Sequence, residues 1–319
     1  MKFLETHFED YIQSSQKNNL NTKLEKVFKN FPKKIFDLKN LIFYGPSGVG
    51  KYTQMLRSIK KYSPSELKYE KKISIMFNKQ PFFFKISDIH YEIDMSLLGC
   101  NSKLLWHEIY QQIVDIISAK NEKSGIIVCK YFHHIHSELL ENIYSYIQHN
   151  NSLIDIKFIL ITQEISFIPD NILNCCEIIT IPRPSRISYS KITKQTLPKD
   201  LKLENIVNIK NIHTLININE LMHPYKIICD KIIEEIINND IKFLKFRDLV
   251  YDIFIYNLDI TDCIWYILLE LINKDKIKNN LSKLLIKTYQ FLQYYNNNYR
   301  PIYHLENYLF YLVTIIHEY

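Results

Sequence analysis

Three of the five glycines in this 319-residue chain stand within six positions, at Gly45, Gly48 and Gly50. A chain this poor in glycine places it where positive φ or close backbone approach is required. The surrounding residues, 41–53, read Leu-Ile-Phe-Tyr-Gly-Pro-Ser-Gly-Val-Gly-Lys-Tyr-Thr. Leu41 to Tyr44 is a short apolar run that predicts a buried strand, the glycines predict a loop, and Lys51 opens a helix to about Lys60. A GxxxxGK loop between strand and helix is the context a phosphate-binding loop needs; the plain alternative is an ordinary glycine-rich turn. Its amides, at a helix N-terminus, cradle an anion, and Lys51 reaches toward the β- and γ-phosphates. The predicted nucleotide-binding set is Gly45, Pro46, Ser47, Gly48, Val49, Gly50, Lys51, Tyr52 and Thr53. The position after the lysine is ordinarily Ser or Thr, whose hydroxyl binds Mg²⁺. Here it is Tyr52, and the next hydroxyl, on Thr53, is turned about 100° around the helix. ATP or ADP is the expected cofactor, while magnesium-assisted chemistry lacks its ligand.

The rest of the chain is arranged around that loop. Lys72 to Phe77, and Phe82 to Ile86 continuing to Tyr91–Ile93, predict a β-hairpin. Leu104, Leu105, Ile109, Ile113, Ile116 and Ile117 recur at helical spacing over 103–119. Continuous apolar runs at Ile126–Cys129, Phe158–Ile161 and Ile178–Ile181 are of the buried parallel type, with a helix at Ser137–His149. This alternation predicts an α/β fold: a parallel sheet with helices on both faces and its ligand at the end of the first strand. After Ser185 the strand signals stop. Four or five long helices are predicted, over Pro224–Asn239, Lys242–Tyr256, Ile260–Asn273, Lys278–Tyr295 and Ile302–His317. The expected domains are a nucleotide-binding core over 1–185, a small helical lid over 186–223, and an all-α assembly module over 224–319.

No apolar run reaches the roughly 18 residues of a membrane span, and the start lacks a signal-peptide core. The six cysteines have no C-x-x-C spacing and read as reduced thiols, so an intracellular site, nuclear or cytoplasmic, is expected. Net charge is +6, yet residues 225–319 hold 11 Lys and Arg against 12 Asp and Glu. The basic surplus therefore lies in the first two-thirds, compatible with a phosphate-backbone partner; a solvated basic surface is the plainer reading. The excess of Ile, Asn, Lys and Tyr reads as the coding bias of an AT-rich genome, such as that of a large DNA virus or an intracellular parasite; for a virus, its replication factory would be the location.

At this point the residues resemble a family. Gly45 to Thr53 is similar to the GPSGxGKxT loop of one small subunit of the AAA+ clamp loader, replication factor C. His90-Tyr91-Glu92-Ile93 followed by Gly99-Cys100-Asn101-Ser102-Lys103 looks like that subunit's YHLE…GNxDR stretch. Ile181-Pro182-Arg183-Pro184-Ser185 is similar to the family's PAPS exit from the ATPase core, and Ile302-Tyr303-His304-Leu305-Glu306 to an IYHLE sequence in its helical collar. Four such matches in order cover about 260 residues. The resemblance implies an AAA+ core, lid and collar, other clamp-loader subunits as partners, a sliding clamp, and primer-template DNA.

The departures from the family pattern fall on its catalytic positions. Where Walker B acids belong stand Lys130, Tyr131, Phe132 and His133. The γ-phosphate sensor becomes Thr162-Gln163, and the arginine finger's motif becomes Asn174-Cys175-Cys176; the lid's sensor arginine aligns with His213. An arginine finger contributes roughly 10³–10⁵ in rate where present. The resemblance therefore implies a nucleotide-binding subunit without hydrolysis. Lys103, where the family's DNA-tracking helix begins, is the candidate for phosphate-backbone contact. His133, His134 and His136 with Glu138 are not an established zinc spacing, so no metal is expected. A stand-alone NTPase or kinase, and a pure scaffold with an empty loop, are the alternatives.

Overall fold

The computed structural model describes residues 7–17, 19–77, 80–99, 101–148, 154–194, 196–197, 201, 203–207, 209, 224–238, 241–255, 258–277, 281–295 and 301–317. Two compact units result: residues 1–203 with 207–215, and residues 204–206 with 216–319.

In the first unit, helices α1 (Phe8–Lys17) and α2 (Leu24–Lys29) precede β1 (Asn40–Tyr44) and α3 (Lys51–Ile59). Then come β2 (Lys71–Phe77), β3 (Gln80–Ile86), β4 (His90–Asp94), α4 (Ser102–Ser118), β5 (Ser124–Lys130) and α5 (Ser137–Gln148). β6 (Asp155–Thr162), α6 (Asp170–Asn174), β7 (Cys176–Thr180) and α7 (Arg186–Thr193) complete it. Among the described residues seven strands form one sheet in the order β2-β3-β4-β5-β6-β1-β7. From β4 to β7 all neighbours are parallel, and β2 and β3 add an antiparallel edge.

Why the central strands read as unbroken apolar runs follows from their two covered faces. Along β1, Ile42 joins one core with Ile127, Leu160, Trp106 and Ile109. Its neighbours Leu41 and Phe43 point the other way, into a core with Val128, Ile159, Met55 and Leu56. Helices α4 and α5 thus cover one face, and α1 and α3 the other.

One expected strand divides. β3 does not continue into Tyr91–Ile93: it stops at Ile86, and β4 is a separate strand that turns parallel to β5. The cause is local. The Ser87 hydroxyl accepts from the amides of Ile89 (3.1 Å) and His90 (2.9 Å), closing a serine turn.

The second unit packs α8 (Pro224–Ile237), α9 (Phe243–Ile255), α10 (Ile260–Asn273), α11 (Leu281–Tyr295) and α12 (Pro301–His317) around one apolar core. Asp259 caps α10, its carboxylate accepting from Asp262 N at 3.1 Å. Asp259→Ala is expected to cost about 1 kcal/mol in urea unfolding; a midpoint unchanged from the parent would refute the cap's role. Among the described residues the cysteines are free thiols, and no helix is long and apolar enough to cross a membrane.

Candidate functional site

The loop after β1 has the conformation its glycines predict. Gly48 and Gly50 lie in the left-handed region, at φ 71° and 84°. Gly48 also permits close approach: a Cβ there would stand 2.0 Å from the Cα of Val207. The loop curls round its own lysine. Lys51 Nζ donates to the carbonyls of Gly45 (2.6 Å) and Pro46 (2.7 Å), the first two residues of the loop. Burial, with the nearby Arg183 guanidinium second, pulls the Lys51 ammonium down from 10.5 to about 8. A cation so destabilised favours an anion beside it.

Beside the loop opens a cavity of about 360 Å³, within the size range of small-molecule sites, lined by Gly48, Gly50, Lys51, Tyr52, Glu92 and Lys130 among others. Thr53, Tyr131, Val207 and Ile209 contribute to its walls as well. Tyr131 holds a left-handed conformation (φ 50°) at the end of β5, and its side chain is exposed.

Glu92, on β4, lines the cavity, and the sequence does not announce it. A lone carboxylate near an apolar strand has no visible partner in sequence, whereas the structure supplies three. Its Oε1 accepts from the Tyr52 hydroxyl at 2.6 Å and lies 3.2 Å from His90 Nε2. Its Oε2 is 3.7 Å from Lys130 Nζ. The side chain is 2% exposed, and Oε2 has no hydrogen-bond partner among the described residues. Burial alone would raise this carboxyl; His90, Lys130 and Tyr52 outweigh it and hold it below its ordinary value. The Tyr52 phenol moves the other way, raised by burial and then by the Glu92 charge. His90 at i and Glu92 at i+2 share a strand face, the only sequence signal for the pair.

Arg183 is the second residue missed. From between two prolines it donates to the carbonyl of Ser47 at 3.3 Å and to that of Leu203 at 2.8 Å, tying the loop to the segment that walls it. An arginine between two prolines, three residues past the end of the strand beside β1, was the available clue.

The remaining expected positions separate from the cavity. Thr162 is fully buried at the end of β6 and donates to the carbonyl of Glu164 at 2.6 Å; neither it nor Gln163 is in the lining. Cys175 packs against the core at the C-terminus of α6. Lys103 is exposed in the first turn of α4. His213 lies outside the described residues. His133 is half-buried against His134, ring centroids 4.3 Å apart, and burial lowers its pKa. Among the described residues no group of three His, Cys, Asp or Glu side chains is placed to hold a metal ion.

The residues therefore fit a polyphosphate: a glycine cradle, a helix N-terminus, and lysines on two sides. They do not fit Mg²⁺ held as phosphate-loop enzymes hold it. The Tyr52 hydroxyl is engaged by Glu92, and β5 ends in a cation instead of a carboxylate. No known family model and no curated protein matches this chain.

Proposed function

We propose that this chain is a nucleotide-holding, non-hydrolysing small subunit of an AAA+ clamp loader of the replication factor C type. It would occupy one place in a ring of related chains that loads a sliding clamp onto primer-template DNA. The observation that carries the reading is the loop at the end of β1, wrapped on Lys51 beside a strand end that bears Lys130. Positioning and electrostatic stabilisation do almost all the work in phosphoryl transfer. A site with the cradle and without the metal-binding acid can bind nucleotide and is poor at cleaving it.

The helical unit supports the assembly part. Leu244, Tyr251 and Ile255 on α9, Trp265 and Leu269 on α10, and Leu281, Leu285 and Tyr289 on α11 are all exposed apolar side chains at helical spacing. Apolar stripes of this kind mark surfaces that pack against other chains. The exposed Lys103 fits a DNA-backbone contact. A stand-alone NTPase or kinase would need a carboxylate available to a metal, and Glu92, the carboxylate in the described lining, has its Oε1 tied to Tyr52 and His90 and its Oε2 facing the Lys130 ammonium.

The purified chain is expected to bind ATP and ADP at equilibrium and to release no phosphate from ATP above the buffer rate. Turnover abolished by Lys51→Ala would overturn the reading in favour of an active NTPase. Affinity capture from the native cell should recover other AAA+ chains with intact acids and arginine fingers. Recovery of the chain alone would overturn the assembly.

A further inference from the structure

Two departures from an ordinary phosphate-loop site, Tyr52 and Lys130, touch each other. Lys130 Nζ sits 5.0 Å from the centroid of the Tyr52 ring, a cation–π contact, while the Tyr52 hydroxyl holds Glu92 at 2.6 Å. Glu92 in turn faces Lys130 across 3.7 Å. The tyrosine that removes a metal ligand thus supplies the ring and the carboxylate contact that position an ammonium at the end of β5. A merely eroded site would leave these substitutions unrelated; here they interlock inside the cavity next to Lys51.

We infer that the site takes the polyphosphate of its nucleotide as a metal-free anion, the Lys130 ammonium supplying the positive charge that a bound Mg²⁺ supplies elsewhere. The inference rests on the nucleotide-binding reading above. The donor chemistry agrees. A dication beside Glu92 Oε2 would face the Lys130 ammonium, a like charge, across a short distance. A polyphosphate oxygen on the side of Lys130 away from Glu92 instead gains a charge-assisted partner. Lys130 can present its ammonium to it, because its side chain is 29% exposed and is held by the Tyr52 ring and by a Glu92 contact longer than a hydrogen bond, which leave its N–H donors unspent on the carboxylate.

The test is equilibrium binding of ADP and of ATP to the purified chain, with Mg²⁺ and with EDTA. The affinities are expected to agree within about twofold, a difference of a few tenths of a kcal/mol. Lys130→Met should lower metal-free affinity about tenfold, and Lys130→Arg should retain it. Binding that requires Mg²⁺ would overturn the inference and leave the nucleotide-binding reading intact, as would undiminished metal-free affinity in Lys130→Met. Absence of binding under both conditions would overturn the nucleotide-binding reading itself. The comparison of the unmodified chain with and without metal decides the matter even where a Lys130 variant fails to fold.

Discussion

Lys51→Ala is expected to cut ADP affinity by on the order of 100-fold, since a charge-assisted hydrogen bond to a charged group contributes about 1.5–3 kcal/mol. The alanine removes the ammonium and also the hydrogen bonds to Gly45 and Pro46 that hold the loop curled. Affinity and pH should be coupled through the same group. In the nucleotide-free protein the Lys51 ammonium loses its proton near 8 and not 10.5. ADP affinity should therefore be flat up to about pH 8 and fall above it, by about tenfold per pH unit at most. Stability of the free protein should move the opposite way over that window. Between about 8 and 10.5 the unfolded chain keeps a proton at Lys51 that the folded chain has released, so this group's contribution rises with pH. A binding curve equally steep in Lys51→Ala would show that another group titrates. An affinity loss below threefold in that variant would mean that the loop does not grip phosphate through Lys51.

What the sequence disclosed here divides by range of contact. The strand–loop–helix of residues 40–59 was legible because each residue type acts locally: apolar residues in β1, glycines at positive φ, a lysine at the helix start. The helices of the second unit were legible from their apolar period, and each helix among the described residues falls on an expected one. The substitutions at Tyr52 and Lys130 were visible as departures, but their interlocking was not. Tyr52, Glu92 and Lys130 lie on α3, β4 and β5, three elements that only the sheet order brings side by side. Nor does a segment rich in Ile and Asn announce that Val207 presses its backbone on Gly48. The turn at Ser87 was missed for a smaller reason: a hydroxyl accepting two nearby amides ends a strand without any glycine or proline.

Glu92→Ala is expected to destabilise the first unit by about 3 kcal/mol, the low end for one partner of a buried ion pair. Two groups lose their acceptor with it: the Tyr52 hydroxyl, and His90, which is fully buried on the same strand. Lys130, 29% exposed, can turn to water and recover part of its loss, which is why the low end applies. Glu92→Gln keeps the side chain's shape and an oxygen for Tyr52, so it should cost about 1–1.5 kcal/mol. The two variants separate charge from packing, and pH separates them again. Because His90, Lys130 and Tyr52 together hold the Glu92 carboxyl below its ordinary value against the opposing effect of burial, its ionised form stabilises the fold. That contribution is complete above the unfolded carboxylate value of about 4.3 and is lost as pH falls through the lower folded value. The urea midpoints of the parent and of Glu92→Gln should thus converge as the solution is acidified below about pH 4. A gap that stays constant to lower pH would show that it does not arise from the ionisation of Glu92. In that case Lys130 would be held by the Tyr52 ring and not by the carboxylate.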